Sequence, residues 1–409
     1  MSRGKDAKPH IGIFGRRNCG KSSIINAITG QDIAIVSDIA GTTTDPVKKS
    51  MEIDTIGPVI LIDTAGIDDT GELGKKRIEK TWQAISTIDA AIIVIADSHF
   101  GNYEEALMAK FNDLAVPFML VHNKSDIAPI QSELKNKIEN FTHTKIIACS
   151  AYKHTGIDDL INCLKSIIPE NVYQAKSLLG DVLKAGDTVL LITPIDLEAP
   201  EGRMILPQVQ VIRDVLDNDC VAVVAKEKDI AAYISKMNPK PALVITDSQV
   251  FPKADASVPK DIPLTSFSIV LARHKGDFAN YIKGTPALNH LKEGDRILIL
   301  ESCTHHVSCD DIGRFKIPCW LANYTGKHLE FDTVAGLSKL PRDIHEYAMV
   351  IQCGGCMITH RQIINRLKPA VDAGIPVSNY GMAIAWMHGI YNRAVAPFVN
   401  VNRLATDSI

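Results

Sequence analysis

The sequence predicts an α/β protein in which a doubly wound parallel sheet is followed by two smaller α/β units with largely parallel sheets. Short apolar runs alternate with amphipathic stretches along most of the chain, which is the pattern of strands joined by crossover helices. The segments that contain candidate ligand-binding residues come directly after such runs. Because the carboxyl ends of parallel strands share one edge of a sheet, this placement is typical of ligand sites in open α/β folds.

Composition sets broad limits on function. The chain has 409 residues, enough for two to four domains, and is 46% hydrophobic and 22% charged, as ordinary globular proteins are. A net charge of −3 gives no electrostatic argument for a nucleic-acid partner. The first residues lack the apolar core of a secretory signal and no apolar run is long enough to span a bilayer, so we expect a cytoplasmic protein without a membrane partner. In that compartment, nine cysteines indicate free thiols or metal ligands.

The periodicity divides the chain into three units, at residues 1–170, 180–262 and 263–409. The predicted strands are 11–14, 59–62, 91–96, 118–121 and 145–148 in the first unit, 189–192, 221–225 and 243–246 in the second, and 296–300, 347–351 and 375–377 in the third. The predicted helices of the later units are 208–216, 229–237, 362–373 and 383–388. The second unit carries no motif for ligand binding or catalysis, which favours a role as an interaction surface.

A phosphate-binding loop, Gly-Arg-Arg-Asn-Cys-Gly-Lys-Ser, occupies residues 15–22 between a predicted strand and a predicted helix. Its glycines let backbone N–H groups point at phosphate oxygens, and the Lys21 ammonium group would reach the β and γ phosphates. The Ser22 hydroxyl would bind Mg²⁺. The predicted nucleotide contacts of this loop are Gly15, Asn18, Gly20, Lys21, Ser22 and Ser23.

Two later segments complete a nucleotide site. Asp63 and Gly66 lie in Asp-Thr-Ala-Gly, where the carboxylate would hold Mg²⁺ through water and the Gly66 N–H would face the γ-phosphate. The guanine motif Asn-Lys-Ser-Asp follows at residues 123–126. The Asp126 carboxylate can accept hydrogen bonds from N1–H and the exocyclic amine of guanine, a donor pair that adenine lacks, which predicts GTP and GDP as ligands. The other predicted contacts are Asn123, Lys124, Ser150 and Ala151, the last two through backbone N–H groups.

The segment Gly-Thr-Thr-Thr-Asp at residues 41–45 lies where a nucleotide switch belongs. With these motifs the first unit resembles the translation-factor-related GTPases of the Era and TrmE type. The resemblance makes Thr43 the predicted switch ligand of Mg²⁺, with Thr42 as the alternative, and places Thr43 with Lys21, Asp63 and Gly66 among the catalytic residues. It implies that Asn18 binds K⁺ beside the phosphates; a plain turn residue is the alternative. Ile67 replaces the water-orienting Gln of Ras-like proteins, so we expect slow, K⁺-stimulated hydrolysis.

Three cysteines of the last unit form a second candidate site. Cys353 and Cys356 are separated by two glycines, which lets the backbone wrap closely around one metal ion or cluster. Alone, this pair is compatible with redox thiols, half of a zinc site or part of an iron–sulfur site. Cys303 supplies a third thiolate, and His305 or His306 could complete a set of four ligands or be structural. The cysteines expected to be packing residues are Cys19, Cys149, Cys163, Cys220, Cys309 and Cys319.

The order Cys303-x-His305, a gap of 46 residues, then x-Cys353-x-x-Cys356 is similar to the signature of the HydF family, the [FeFe]-hydrogenase maturation GTPases. That family joins a TrmE-like GTPase domain, a dimerisation domain and a cluster-binding domain in this order. The resemblance implies a [4Fe–4S] cluster on the three cysteines, with His305 as candidate fourth ligand. Gln352 stands where the family often has a second His.

The same resemblance implies a scaffold and carrier. Such a protein accepts a diiron precursor carrying CO, CN⁻ and a dithiolate from radical-SAM maturases and delivers it to apo-hydrogenase, with GTP hydrolysis as a switch. We expect a homodimer or a larger assembly. The competing interpretation is a GTPase of tRNA modification or ribosome assembly with a structural zinc site. The acidic balance and the lack of an RNA-binding module after residue 169 argue against it.

Overall fold

The computed structural model describes residues 8–30, 46–64, 66, 71–97, 99–142, 146–169, 177–194, 204–228, 230–302 and 311–399. The chain falls into two compact units, Met1–Ala175 and Lys176–Ile409. The predicted fold class is confirmed: a mostly parallel, six-stranded α/β sheet comes first, and two smaller, wholly parallel sheets follow it.

The first unit contains a six-stranded sheet. Its strands are β1 His10–Gly15, β2 Val47–Ile53, β3 Gly57–Asp63, β4 Ala90–Ile95, β5 Phe118–His122 and β6 Ile146–Ala148. They lie in the order β2-β3-β1-β4-β5-β6, and all neighbours are parallel except the β2–β3 hairpin. Strands β1 and β4 are buried along their whole length, as their continuous apolar sequences predict for central parallel strands. Strand β2 was not predicted, because its sequence Val-Lys-Lys-Ser-Met-Glu-Ile is that of a polar edge.

Helices cover both faces of this sheet. They are α1 Lys21–Thr29, α2 Gly71–Ile85, α3 Asn102–Asp113, α4 Ser132–Thr142 and α5 Ile157–Ile167. Ile24 of α1 and Leu160 of α5 belong to one buried cluster, whereas Ile85 of α2 and Phe111 of α3 belong to another. The loops after β1, β3, β5 and β6 therefore meet at one edge of a doubly wound sheet, which is where ligands bind in such folds.

The second sheet opens the Lys176–Ile409 unit. Its strands are β7 Thr188–Ile192, β8 Val221–Ala225, β9 Leu243–Thr246 and β10 Leu264–Ser266, all parallel, in the order β10-β9-β7-β8. Helices α6 Leu206–Asp217, α7 Ile230–Lys236 and α8 Phe251–Ser257 connect them. The sequence placed everything after residue 262 in the third unit, but Leu264 of β10 pairs with Val244 of β9, so the second sheet extends past that boundary.

The third sheet contains β11 Arg296–Leu300, β12 Glu330–Val334, β13 Met349–Gln352 and β14 Val377–Asn379, parallel and in the order β12-β11-β13-β14. Two of its strands begin two residues later than predicted, and β12 was missed because polar residues alternate along this edge strand. The accompanying helices are α9 Phe267–Lys275, α10 Phe278–Gly284, α11 Ile317–Thr325, α12 His360–Asp372, α13 Tyr380–Met387 and α14 Tyr391–Val395. Shorter turns are 3₁₀ at Ser248–Val250, Thr285–His290 and Ile344–Glu346, and π-helical at Ile312–Lys316.

The second and third sheets share one hydrophobic core. Leu190 and Val244 of the second sheet lie in the same buried cluster as Ile299 and Val350 of the third. The division of residues 176–409 into two domains therefore stays a prediction. None of the helices within the described ranges is long and apolar enough to cross a membrane.

Candidate nucleotide and cysteine sites

The phosphate-binding loop connects β1 to α1 at the carboxyl edge of the first sheet. Lys21 Nζ donates hydrogen bonds to the main-chain oxygens of Gly15 and Arg16, at 3.0 and 2.8 Å, so the loop's own carbonyls hold its ammonium group. Asn18 has a φ of 58°, in the left-handed region where turn residues are found. A Cβ atom on Gly20 would lie 2.2 Å from Asn123 Nδ2, so only glycine allows these two loops to approach each other.

Asp63 and Ser22 form the candidate Mg²⁺ site. Ser22 Oγ lies 3.5 Å from Asp63 Oδ2, and Asp63 Oδ1 is buried without a hydrogen-bond partner among the described residues. Burial raises the pKa of Asp63, while Lys21 and Ser22 act in the opposite direction. An orphaned carboxylate oxygen beside a hydroxyl is an oxygen donor set that fits a hard cation. Gly66 is half-buried, and Thr43 lies outside the described residues.

Asn123 connects the loops around the predicted guanine site. Its Nδ2 donates to Cys19 O at 3.1 Å, and its Oδ1 accepts from Ala151 N at 3.1 Å. The Ser150 N–H donates to Thr155 O at 2.9 Å. Both backbone N–H groups assigned to guanine from the sequence are thus engaged within the chain, and their contact with the base remains a prediction.

The two charged residues of the guanine motif lie beside this cross-link. Lys124 has a φ of 59°, and Asp126 Oδ2 lies 4.0 Å from Lys153 Nζ. The Asp126 side chain is largely buried, which would strengthen hydrogen bonds to a guanine base.

Arg16 and Glu104 form an ion pair that the sequence does not reveal. The guanidinium group of Arg16 binds both carboxylate oxygens of Glu104, which is fully buried in α3. This contact anchors the phosphate-binding loop to a helix 88 residues further along the chain.

The second candidate site lies at the carboxyl edge of the third sheet. Cys353 follows β13 directly, and Ser302 lies just beyond the end of the neighbouring strand β11. Ser302 donates its backbone N–H to Cys353 Sγ at 3.1 Å, and its Oγ is 2.8 Å from the same sulfur. Burial raises the pKa of the Cys353 thiol, and the hydrogen bonds with Ser302 oppose this shift.

Gln352 joins this contact from the preceding position. Its side chain is fully buried, and Nε2 lies 3.2 Å from Ser302 Oγ and 3.5 Å from Cys353 Sγ. Backbone, hydroxyl and amide groups are thus placed around one sulfur atom. This donor set fits a thiolate that binds iron in a cluster, because such sulfurs accept N–H and O–H hydrogen bonds.

The loop that carries Cys356 packs closely against its surroundings. Gly355 has a φ of 69°, and a Cβ atom there would lie 2.3 Å from Ile363 Cδ1 in α12, so glycine is required. From α9, Lys275 Nζ approaches the main-chain oxygens of Cys356 and Ile358, each at 3.4 Å.

The structure tests only part of the predicted ligand set. Cys303, His305, His306 and Cys309 lie outside the described residues. Within the part that is described, no group of three or more His, Cys, Asp or Glu side chains is arranged to hold a metal ion. Cys19, Cys149 and Cys220 are buried as predicted, but Cys319 is exposed rather than packed.

Comparison with protein families finds three matches in succession. Residues 10–124 match the family described as 50S ribosome-binding GTPase. Residues 178–276 match the hydrogen maturase F dimerization domain, and residues 279–397 match the hydrogen maturase F tetramerization domain. The chain belongs to the hydrogen maturase F family. This confirms the resemblance read from the sequence, and in this family member Cys353 and Cys356 fall within the tetramerization match.

The hydrogen maturase F chain is also similar to other GTPases. The tRNA modification GTPase MnmE of Chromobacterium violaceum is 36% identical over 204 residues, which cover 47% of this chain and 43% of the relative. The GTPase Der of Wolinella succinogenes is 33% identical over 159 residues, 37% of this chain and 34% of the relative. The chain therefore spans less than half the length of these relatives. A crystal structure of an Era variant of Aquifex aeolicus bound to GDP·AlF4⁻ aligns with a TM-score of 0.35 and 19% identity, covering 61% of this chain and 98% of that one.

Proposed function

We propose that this hydrogen maturase F chain is a GTP-hydrolysing scaffold that holds a [4Fe–4S] cluster and a diiron precursor and delivers the precursor to apo-[FeFe]-hydrogenase. Two observations together carry the proposal. The Cys353 sulfur lies at a sheet edge among hydrogen-bond donors from Ser302 and Gln352, and the chain also carries a GTPase domain.

Cys303, Cys353 and Cys356 are the proposed cluster ligands, with His305 as the candidate for the fourth position. A cluster held by three thiolates supplies an iron position whose ligand can exchange, which suits a carrier. The chain's own residues present and orient the thiolates. Ser302 donates to Cys353, and Lys275 holds the backbone at Cys356.

The GTPase unit is proposed to act as the switch. When GTP binds, the Lys21 ammonium group leaves the loop carbonyls and donates hydrogen bonds to phosphate oxygens. This places positive charge where the transition state gains negative charge. Ser22, Thr43 and Asp63 are the proposed Mg²⁺ residues, and Asp126 selects guanine. Ile67 leaves the attacking water without a Gln side chain, so hydrolysis is slow.

The proposed monovalent cation site involves Asn18. K⁺ beside the phosphates would add positive charge at the same place as Lys21 and stimulate hydrolysis. The left-handed backbone of Asn18 is equally what a plain turn residue adopts, so the family resemblance alone supports this role.

Self-association is proposed to use the free edge of β8 in the region that matches a dimerization domain. Strand β8 pairs only with β7 among the described strands, and Val221 and Val224 are 52% and 45% exposed. An unprotected apolar edge strand is a template for pairing with another strand. The proposed occupant is β8 of a second copy, because a two-fold axis places identical edges antiparallel to each other.

The remaining parts of the proposal follow the family resemblance. Radical-SAM maturases supply the diiron precursor, apo-hydrogenase receives it, and the reaction takes place in the cytoplasm. We extend the second domain of the proposed three-domain division past residue 262 to include β10.

Anaerobic metal analysis tests the proposal against its main competitor. A brown protein that contains iron and acid-labile sulfide supports the carrier function. A colourless protein with one zinc ion per chain would support the GTPase of RNA modification or ribosome assembly, and the carrier proposal would fall. The matches over residues 178–276 and 279–397 favour the first result.

A further inference from the structure

We propose that Arg366 is a positioning residue that raises the reduction potential of the cluster by acting on the Cys353 sulfur through a single peptide group. The inference rests on the proposed function, because it concerns a cluster held at Cys353.

The peptide between Glu301 and Ser302 links the two residues. Its carbonyl oxygen accepts a hydrogen bond from Arg366 Nη1 at 2.6 Å. Its N–H, which belongs to Ser302, donates to Cys353 Sγ at 3.1 Å. A guanidinium group, one amide and one sulfur atom therefore form a continuous chain of hydrogen bonds.

The same guanidinium group fixes the position of this peptide. Arg366 Nη2 donates to Val334 O at 2.5 Å, and the Glu301 N–H donates to that same oxygen at 2.9 Å. Arg366 thus bridges the carboxyl ends of β11 and β12, where the backbone turns toward Cys353. Helix α12 supplies this arginine from the side of the sheet on which Ile363 packs against Gly355.

The positive charge of Arg366 is directed at the main chain and not at a carboxylate. Glu301 is buried, and its carboxylate binds Arg314, with 3.0 Å between Oε2 and Nη2. Among the residues described, no carboxylate forms an ion pair with Arg366, and its Nε is buried without a hydrogen-bond partner. None of the ion pairs described around Arg366 therefore neutralises its positive charge. The negative charge of cluster-bound thiolates would complement it.

This chain of hydrogen bonds affects which oxidation state of the cluster is favoured. A cation that binds the carbonyl oxygen polarises the amide and strengthens the N–H···S bond on its other side. Hydrogen bonds to cluster sulfurs favour the more negative, reduced state and raise the reduction potential. When one electron converts the [4Fe–4S]²⁺ cluster to [4Fe–4S]⁺, Arg366 therefore stabilises the product.

The test is an EPR-monitored titration with dithionite as the electron donor, on full-length protein reconstituted anaerobically. Arg366→Met removes the charge and keeps most of the side-chain volume. Lys368→Met removes a charge from the exposed side of the same helix and serves as the matched control. At a fixed potential, Arg366→Met should show at least a tenfold lower ratio of reduced to oxidised cluster, about 59 mV for a one-electron couple. Lys368→Met should match wild type.

The outcomes separate this inference from the proposed function. A wild-type protein without iron and sulfide would remove the proposed function and this inference with it. A wild type and an Arg366→Met variant with equal iron, equal sulfide and equal potential would overturn the inference alone. If Arg366→Met does not fold or retain iron, Arg366→Lys decides. Lysine keeps the positive charge but lacks the planar guanidinium group that binds two main-chain oxygens at once. A cluster reduction potential in Arg366→Lys below that of Lys368→Met supports the inference, and an equal potential overturns it.

Discussion

Arg16 and Glu104 form a bidentate ion pair, with Arg16 Nε 2.8 Å from Oε1 and Nη2 3.0 Å from Oε2. The Gly101 N–H donates to Oε2 at 2.9 Å, so the buried carboxylate has three donors. The main-chain oxygen of Arg16 accepts from Lys21 Nζ. Helix α3 therefore fixes the residue whose carbonyl holds Lys21, the lysine predicted to contact the phosphates.

Removing the arginine should leave a buried carboxylate without its counter-charge. We expect Arg16→Met to lower the free energy of unfolding by about 2 kcal/mol, less than for a fully buried pair because Arg16 is partly exposed. The measurement is urea unfolding. Lys110→Met breaks an exposed pair in the same helix and should cost about 0.5 kcal/mol or less. Equal losses in the two variants would show that the pair does not hold the loop.

Lys21→Ala should abolish GTP hydrolysis and leave the iron content intact. The side chain is proposed to place positive charge on the phosphates, and Cys353 and Cys356 lie in the other compact unit. Hydrolysis should fall by a factor of about 10² or more, the loss typical of a single electrostatic contact in the transition state. Lys110→Ala provides an exposed lysine for comparison, and phosphate release and iron analysis use the same preparations. Iron loss in Lys21→Ala alone would mean that the two sites depend on each other.

His122 should make the GTPase unit less stable in mild acid. Its ring is fully buried next to Asn123, and neither ring nitrogen has a hydrogen-bond partner within the described ranges. Burial lowers the pKa of His122, and the nearby Asp97 opposes this. The unfolded state therefore binds more protons, and the free energy of unfolding falls as the pH drops below about 6.5.

The check is urea unfolding between pH 7.5 and 5, in steps, on wild type, His122→Leu and His99→Gln. His122→Leu should flatten the decline, and His99→Gln, at an exposed position in the same unit, should retain it. Identical pH profiles for all three proteins would show that His122 does not titrate within the transition.

Proline in β8 should disrupt self-association without unfolding the chain. Val221 N donates to Asp187 O toward β7, so with the alternation of a strand the N–H groups of Ala222 and Val224 point to the free edge. Val224→Pro removes one of these donors and leaves the β7–β8 ladder intact. Sedimentation should show smaller assemblies for Val224→Pro, with Val224→Thr as the control. An unchanged mass for the proline variant would place the interface elsewhere.

Replacing Cys303, Cys353 or Cys356 by serine should remove most of the iron. Two remaining thiolates hold a cluster poorly, so each variant should lose both iron and sulfide and fail to activate apo-hydrogenase while still hydrolysing GTP. Cys319→Ser, at an exposed position on α11, is the matched control and should keep both. His305→Ala should alter the EPR spectrum of the cluster and retain most of its iron. A Cys353→Ser protein that lacks the cluster and still activates hydrogenase as wild type does would remove the carrier mechanism.

Much of the sheet architecture could be predicted from the sequence because the central strands are continuous apolar runs. Strands β2, β10 and β12 could not: β2 and β12 are half-exposed edge strands whose polar residues resemble loops, and β10 has only three residues. Motifs with fixed spacing, such as the loop around Lys21, are local and can therefore be recognised in a single sequence.

The contacts that complete the sites are not local. Ser302 meets Cys353 across 51 positions, Arg366 meets Glu301 across 65, and Arg16 meets Glu104 across 88. No spacing rule connects such residues before the fold brings their strands and helices together. Even Cys319, assigned to packing from its residue type, proved to be exposed.

Because Leu190 and Ile299 lie in one continuous core, we expect the second and third sheets to unfold together. Amide protons of β7 and β13 should then exchange in one concerted opening of the whole Lys176–Ile409 unit. Any ligand that binds only the closed form stabilises it by mass action, whichever surface it occupies. We therefore expect the proposed cluster and the proposed subunit pairing to stabilise the same folded unit, so that a chain without a cluster should also dissociate more readily.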